Sequence, residues 1–231
     1  MKIAWGITGA GHFLRESVDL LKDLKQKNNH LKVTTFLSRA GEEVVRMYGL
    51  EDELKTISNG EYLEELFPES GQGASVPKAG RFLLHKYDFL IVTPATSNSV
   101  AKIAHGIADT LVTNAVAQAV KGSVPVYIVP VDIAGTIESQ MPYFIDREIC
   151  MKCEFCPPQE QCKKNAITDQ VQLLECSGCG ECVKLCSYGA IQGGMAKIKV
   201  RDVDSGNVQI LNKLEGITVI DKPQSFPDSI L

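Results

Sequence analysis

Apolar residues lie along most of this chain in short runs of strand length, and stretches with helical spacing separate these runs. The strand-like runs cover residues 2–8, 31–37, 88–92 and 124–131. After the first run, apolar residues recur with the spacing of a helix at Phe13, Leu14, Val18, Leu21 and Leu24. Strands that alternate with helices predict an α/β fold, in which helices cover both faces of a doubly wound parallel sheet.

Further helices are predicted to begin near Gly41, to include Val100, Ile103, Ala104 and Ile107, and to run over 111–120. Residues 51–80 are less regular. They hold a predicted short acidic helix at 61–66 and a loop at 68–77 with two Gly and two Ser. We interpret this segment as a surface excursion or lid.

Small and polar residues follow three of the predicted strands, at the edge where an α/β sheet binds its ligand. They are Gly9, Ala10 and Gly11, then Ser38, then the run from Thr93 to Ser99. Free N–H groups at a strand-to-helix turn favour a phosphate. A tight turn needs glycine for steric reasons as well, and Ser38 is equally suited to capping the next helix. Both interpretations stay open at this point.

All eight cysteines lie in one segment, in two blocks of four. The blocks read Cys150-x2-Cys153-x2-Cys156-x5-Cys162 and Cys176-x2-Cys179-x2-Cys182-x3-Cys186. Each block ends in a related sequence, because Ala166-Ile167 follows the first as Ala190-Ile191 follows the second. Two such blocks are typical of two 4Fe–4S clusters, since thiolates are the ligands that these clusters prefer.

This segment resembles a two-cluster ferredoxin domain. The resemblance implies that the last cysteine of each block crosses to the other cluster. One cluster would then have Cys150, Cys153, Cys156 and Cys186 as ligands, and the other Cys162, Cys176, Cys179 and Cys182. Two alternatives are a disulfide framework and a zinc ribbon. The ribbon would pair Cys153/Cys156 with Cys176/Cys179, which 19 residues separate, and it would leave four cysteines unused.

The residues after the cysteines read as strand 196–200, helix 207–214 and strand 216–221. Such a tail fits the α/β domain better than a ferredoxin. We therefore expect a discontinuous α/β domain over 1–145 plus 196–231, with residues 146–195 inserted as a small two-cluster ferredoxin-like domain.

The charge of the chain limits its partners. The formal net charge is -4 and the isoelectric point is about 5.6, with lysines scattered rather than clustered. This composition argues against a nucleic-acid surface. The first residues lack the pattern of a signal peptide, and the apolar window 103–120 is broken by His105 and Asp109. We expect a cytoplasmic protein with reduced thiols and no membrane partner.

The run from Thr93 to Asn114 carries a longer resemblance. Residues 94–113 match Pro-Ala-(Ser/Thr)-x-Asn-x3-Lys-x-Ala-x-Gly-x2-Asp-x-Leu-x-(Ser/Thr). This signature resembles that of the FMN-binding flavoproteins, which include cysteine decarboxylases and flavin prenyltransferases. The resemblance covers about residues 1–131. It implies a flavodoxin-like fold and a homo-oligomer built from trimers, with FMN between subunits. By the same resemblance, Gly9, Ala10, Gly11 and Ser38 surround the phosphate end, whereas the flavin is lined by Pro94, Ala95, Thr96, Asn98 and Ser99.

The sequence departs from the pattern of this family at two places, and these differences indicate which of its members the chain resembles. Residues 51–80 contain no His, which decarboxylases carry there, and the position of their substrate clamp reads Pro130-Val-Asp-Ile-Ala-Gly-Thr-Ile-Glu-Ser-Gln-Met141. A prenyltransferase has no use for iron–sulfur clusters. The combination of flavin domain and ferredoxin segment instead resembles a group of archaeal flavoproteins of the dihydromethanopterin reductase (acceptor) type, as does the opening sequence 4–12.

This resemblance implies an enzyme that reduces a dihydropterin to its tetrahydro form. Electrons from a ferredoxin or a similar low-potential donor would pass through the two clusters to FMN, which converts single electrons into a two-electron reduction. The alternative is an electron-transfer relay with no small substrate. His12 is a candidate acid or base, or a cap or phosphate neutraliser. We expect Trp5, Tyr143 and Tyr188 to be packing residues.

Overall fold

A computed structural model describes residues 1–73 and 75–226. Its strands are β1 (Lys2–Ile7), β2 (Lys32–Leu37), β3 (Leu66–Pro68), β4 (Phe89–Ala95), β5 (Val126–Pro130), β6 (Thr136–Ile145), β7 (Ile191–Lys199) and β8 (Ile217–Val219). Its helices are α1 (Leu14–Lys27), α2 (Arg39–Met47), α3 (Glu51–Ile57), α4 (Ser97–Ala104), α5 (Leu111–Lys121), α6 (Pro157–Glu160), α7 (Glu181–Leu185) and α8 (Asp202–Leu211). Short 3₁₀ turns cover Glu69–Gly71, Pro77–Arg81 and Pro223–Ser225.

Six strands form one sheet in the order β3-β2-β1-β4-β5-β8, and every pair in it is parallel. β4 is buried along its whole length, as expected of a parallel strand covered on both faces. The strand order reverses direction between β1 and β4, because β2 lies on one side of β1 and β4 on the other. The predicted doubly wound α/β fold is confirmed.

Two apolar layers cover the sheet. On one face, Trp5, Leu14 and Leu54 belong to a core built mainly with α1 and α3. On the other face, Phe36, Val116 and Leu211 belong to a core that α4, α5 and α8 complete. All six of these side chains are fully or almost fully buried. The sheet is therefore held rigidly, and its strand ends can position a site.

The predictions for residues 51–80 were wrong in part. The acidic helix lies earlier, in α3, where Glu51, Asp52 and Glu53 occupy the first turn and favour its N-terminus. The predicted helix at 61–66 is absent, because Leu66 and Phe67 enter β3 at the edge of the sheet beside β2. Glu69 then accepts a hydrogen bond from the Leu111 backbone N–H at the start of α5 (2.8 Å). The segment is thus attached to β2 and to the start of α5; Ala74, in the predicted loop, lies outside the described residues.

The cysteine segment is joined to the sheet domain by an antiparallel pair, β6 and β7, which we call the arm. The predicted strand at 196–200 is part of β7 and pairs with β6, not with the main sheet. Beyond the arm, α8 packs against α4, and β8 pairs with β5. The chain therefore returns to the sheet after the cysteines, which lie in a segment between the two strands of the arm.

Membrane-spanning helices were also sought. In the part of the chain that the structure describes, no helix is both long enough and apolar enough to cross a membrane.

Candidate functional site

The carboxyl ends of β1 and β4 lie side by side where the strand order reverses, and α/β proteins bind ligands at such points. Thr8 joins them, because its hydroxyl donates to the carbonyl of Pro94 (2.8 Å) and accepts from the N–H of Thr96 (2.8 Å). The indole N–H of Trp5 donates to the carbonyl of Thr93 (2.8 Å). Trp5 is thus a buried packing residue that also holds the two strand ends together. The glycine turn and the loop before α4 therefore flank the reversal of strand order, where α/β folds have their ligand crevice.

The glycine turn at residues 9–11 is packed tightly against α2. A Cβ on Gly9 would lie 2.4 Å from the Cβ of Ala40, and one on Gly11 would lie 2.2 Å from the hydroxyl oxygen of Tyr48. Ala10, between them, is buried. Sterics therefore require glycine at position 9, whatever ligand the turn binds, whereas a side chain at position 11 would require the Tyr48 ring to move.

Ser38 is the N-cap of α2. Its hydroxyl accepts a hydrogen bond from the backbone N–H of Gly41 (3.1 Å), and the side chain is buried. The capping interpretation is confirmed. A capping hydroxyl still has its own proton to donate, so this role is compatible with a nearby phosphate.

Most of the run 94–99 is buried or half-buried, and one side chain in it is exposed. Pro94 and Ala95 are buried in β4, and Thr96 caps α4 by accepting from the backbone N–H of Ser99 (3.2 Å). Ser99 is buried as well. Asn98, in contrast, lies on the surface of the single chain. Its amide is available to a ligand or to a neighbouring subunit.

Several later positions of the signature have structural roles. The ammonium of Lys102 pairs with the carboxylate of Asp109 (2.8 Å). The side-chain amide of Asn114 donates to the carbonyls of Ala108 (2.8 Å) and Thr110 (3.0 Å). These contacts fix the turn between α4 and α5. Gly106 in that turn has a φ of 72°, and α4 ends at Ala104, so the prediction that Ile107 belongs to this helix was wrong.

His12 lies half-buried beside the crevice. Burial lowers the pKa of its imidazole, while the carboxylates of Glu16 and Asp132 act in the opposite direction. A lowered pKa favours the neutral ring, whereas an anion bound beside the ring would act to raise that pKa. Asp132, just beyond β5, accepts a hydrogen bond from the hydroxyl of Ser97. Sequence reasoning missed Asp132, although its place after a strand end was a usable signal.

Four of the cysteines line one cavity of about 540 Å³. They are Cys150, Cys153, Cys156 and Cys186, three from the first block and one from the second. Ala190 and Ile191 line it too, and they are buried with their repeat counterparts Ala166 and Ile167. Equivalent residues of the two halves thus form the small core of the cysteine segment.

The other four cysteines form a second group. Burial raises the pKa of the Cys176 thiol, and the neighbouring thiols of Cys179 and Cys162 raise it further. Burial also raises the pKa of Cys182, with Cys176 and Cys179 as its thiol neighbours. Cys162 therefore lies with the second block rather than with its own. The pairs that a zinc ribbon would join, Cys153/Cys156 and Cys176/Cys179, fall in different groups.

Backbone N–H groups point at several of these sulfurs. The N–H of Ala166 donates to Sγ of Cys162 (3.3 Å), and that of Gly178 donates to Sγ of Cys176 (3.4 Å). Burial acts to raise the pKa of Cys186, but the neighbouring backbone N–H groups of residues 188–191 act in the opposite direction, and the pKa is lowered overall. Such donors stabilise anionic sulfur and tune iron–sulfur sites.

Eight thiols in two groups of four are the kind of donor set that two iron–sulfur clusters would need. All eight cysteines are free thiols, divided into two groups of four. Among residues 1–73 and 75–226, no three His, Cys, Asp or Glu side chains are close enough to hold one metal ion. The first group surrounds a volume instead of converging on a point.

A second cavity, of about 210 Å³, lies between the glycine turn and the cysteine segment. Its lining includes Gly9 and Gly11 from the glycine turn, Tyr48 from the end of α2, Tyr143 from the arm and Cys176. Burial raises the pKa of Tyr48, and Tyr143, Glu16 and Cys176 contribute in the same direction. Tyr143 packs as predicted. Its hydroxyl oxygen lies 2.7 Å from the position that a Cβ would occupy if Gly180 carried a side chain. Tyr188, also predicted to pack, is instead exposed at the cysteine segment.

The strand order, the crevice at the reversal and the signature loop define an α/β flavoprotein. The chain belongs to the Flavoprotein family, whose pattern matches residues 1–139. It is 60% identical over 231 residues to dihydromethanopterin reductase (acceptor) of Methanosarcina mazei, covering 97% of each chain. The protein of the same name from Methanocaldococcus jannaschii is 51% identical over 228 residues, with 96% of this chain and 93% of that one covered. The chain is thus a homologue of these reductases.

A solved structure has the same fold. It is DmrB of Burkholderia xenovorans in complex with FMN, described as a cubic protein cage for redox transfer. The TM-score is 0.61 at 24% identity, and the alignment covers 95% of this chain and 87% of that one.

Proposed function

We propose that this protein is a flavin enzyme that reduces dihydromethanopterin, or a similar dihydropterin, to the tetrahydro form with electrons received through its cysteine segment. One observation carries this proposal: Cys176 lines the same cavity as Gly9 and Gly11. A cysteine that we propose as a cluster ligand therefore lies beside the turn where the signature predicts the flavin. The names of the two reductase relatives support the substrate.

The flavin site is proposed to be the crevice at the reversal of strand order. Gly9, Ala10, Gly11 and Ser38 would surround the phosphate of FMN, and the ring would be lined by Pro94, Ala95, Thr96, Asn98 and Ser99. The solved DmrB complex, which has the same fold, contains FMN. Asn98 is exposed in the single chain, which suits a site completed by a neighbouring subunit. We propose a homo-oligomer built from trimers, and DmrB is itself described as a cage.

The two groups of thiols are proposed to hold two 4Fe–4S clusters with crossed ligands. The first group is Cys150, Cys153, Cys156 and Cys186, and the second is Cys162, Cys176, Cys179 and Cys182. When bound, such clusters supply one-electron transfer and the flavin supplies two-electron reduction. The chain contributes thiols, N–H donors to sulfur, and a fold that holds Cys176 beside the glycine turn. In this division the flavin domain comprises residues 1–145 plus 196–231, and the cluster domain comprises 146–195.

The proposal can be tested by turnover under anaerobic conditions. Protein reconstituted with iron, sulfide and FMN is supplied with dithionite and dihydromethanopterin, and the tetrahydro product is separated and quantified. We expect product in large excess over enzyme, and little from protein stripped of FMN. Flavin reduction without any pterin product would favour the alternative, a relay that passes electrons to another protein.

A further inference from the structure

Large apolar side chains stand exposed around the cavity of the first thiol group. Met151 is 66% exposed, Phe155 is 73% exposed and Tyr188 is 56% exposed, and all three line the cavity of Cys150 and Cys186. Cys153 is itself exposed. Apolar groups that frame a reactive centre at the surface are typical of a binding site for another molecule. We call Met151, Phe155 and Tyr188 the rim.

The charges beside the rim indicate which partner it fits. Arg147 and Lys152 line the same cavity, together with one acid, Asp169. Asp169 is fully exposed and lies 3.7 Å from the Arg147 guanidinium, so this weak pair leaves Lys152 as the excess charge. The side chains that line the cavity thus carry one net positive charge (Arg147 and Lys152 against Asp169) on a chain whose net charge is -4, although Glu148 and Glu154 are exposed at neighbouring positions of the sequence. A negatively charged surface would be attracted to this cavity lining and repelled by much of the rest.

The two thiol groups also face different neighbours. Cys176 of the second group lines the cavity shared with the glycine turn. The first group instead opens toward the rim. The two ends of the cysteine segment thus differ: one contacts the flavin domain of the same chain, and the other presents apolar and positive groups outward.

We propose that the rim, with Arg147 and Lys152, is the docking surface for an acidic protein that carries a low-potential one-electron centre, such as an acidic ferredoxin. This inference rests on the proposed function. In each encounter the donor centre loses one electron and the cysteine segment gains it, with no atom transferred. Two encounters supply the two electrons of one reduction, and the two protons come from solvent. A rim of three side chains suits the small, transient interfaces of electron-transfer pairs.

Binding to an acidic two-cluster ferredoxin tests the docking surface without turnover. Both proteins are fully loaded and oxidised, and the Kd is measured by calorimetry under argon at low and high salt. We expect M151A/F155A to weaken binding about tenfold or more, as for interface anchors, and K152E to weaken it most at low salt. M195A is the matched control, because Met195 is 67% exposed on the arm outside the rim. It should leave the Kd unchanged.

Three results would overturn the inference. They are an unchanged Kd in M151A/F155A, an equal loss in M195A, and a change in assembly mass by light scattering that reveals a second copy of this chain on the rim. Iron and sulfide contents must match those of the wild type, so that lost clusters are not taken for lost docking. Dithionite-driven pterin reduction by the same variants separates the two proposals. If it stays at the wild-type rate while ferredoxin binding falls, both hold; if the wild type itself makes no pterin product, the proposed function fails whatever the Kd.

Discussion

Cys176 and Gly11 lie far apart in the sequence and line one cavity of about 210 Å³. The hydroxyl of Tyr48 occupies the space that a Cβ on Gly11 would need, and Tyr48 lines the cavity as well. The cysteine segment is thus folded back over the turn that begins the flavin domain. This arrangement gives the glycine turn two tasks, which are to pack closely on α2 and to border the second thiol group.

The close packing of the turn can be tested with one methyl group. G9A would bring its Cβ to 2.4 Å from the Cβ of Ala40, so we expect a loss of about 1–3 kcal/mol in the free energy of unfolding. A40G alone should cost about 0.5–1 kcal/mol as a glycine in an exposed helix position. Denaturant unfolding of the single and double variants measures both. The double variant should be more stable than G9A, and simple additivity of the two losses would contradict this packing account.

If the last cysteine of each block binds the other block's cluster, the iron content of double cysteine variants depends on which two cysteines are replaced. C162A should remove one cluster and leave about four of eight iron atoms. C162A/C176A should keep the same four, because both residues belong to the second group. C162A/C150A should lose nearly all iron, because Cys150 belongs to the first group. Iron and labile sulfide analysis after anaerobic purification measures this. The reverse pattern, with C162A/C150A retaining half of the iron, would assign each block to its own cluster.

Two asparagines of the signature run should behave in opposite ways. Asn98 is exposed, so N98A should change the free energy of unfolding by less than about 0.5 kcal/mol. It should weaken FMN binding by about ten- to a hundredfold, since loss of a buried hydrogen-bond partner costs about 1–3 kcal/mol. N114A instead removes bonds to Ala108 and Thr110, so it should destabilise the fold. Flavin titration and unfolding of both variants check this contrast. Wild-type flavin affinity in N98A would remove that residue from the site.

The partial burial of His12 should make the free energy of unfolding depend on pH. Its pKa lies below the ordinary value of 6.5 in the folded chain, so the unfolded chain binds a proton first as the pH falls. The stability that neutral His12 contributes is therefore present above pH 6.5 and is lost as the pH falls from there toward the folded pKa. H12N should show a weaker loss of stability over that window than the wild type. H30N, at an exposed histidine, is the control for unfolding measured between pH 7.5 and 5. Equal pH dependence in H12N and the wild type would contradict this account.

The features that sequence could predict were those with a local cause. Strand β4 is a continuous apolar run because both faces of a parallel strand are buried. The grouping of Cys162 with the second block agrees with what the resemblance to two-cluster ferredoxins implies, and the spacing of the cysteines alone would not have predicted it.

Other features depend on partners that are distant along the chain. Residues 61–66 have an acidic, helix-like composition, but β2 recruits Leu66 and Phe67 into an edge strand. Likewise, β7 looked like a strand of the main sheet, yet its partner is β6. Tyr48 carried no motif, and only the docking of the cysteine segment brings it beside Cys176. Pairings of this kind are decided by tertiary packing, which local propensity does not contain.

The most direct test of the whole account is a single turnover of reduced protein. The assembled, FMN-loaded protein is reduced anaerobically, freed of excess reductant and mixed in a stopped-flow instrument with dihydromethanopterin, while flavin absorbance and tetrahydro product are followed. The account predicts that the flavin is reoxidised as product forms, with one pterin reduced for every two electrons lost from the protein. A flavin that stays reduced with dihydromethanopterin, but is reoxidised rapidly by an oxidised electron-transfer protein, would contradict it.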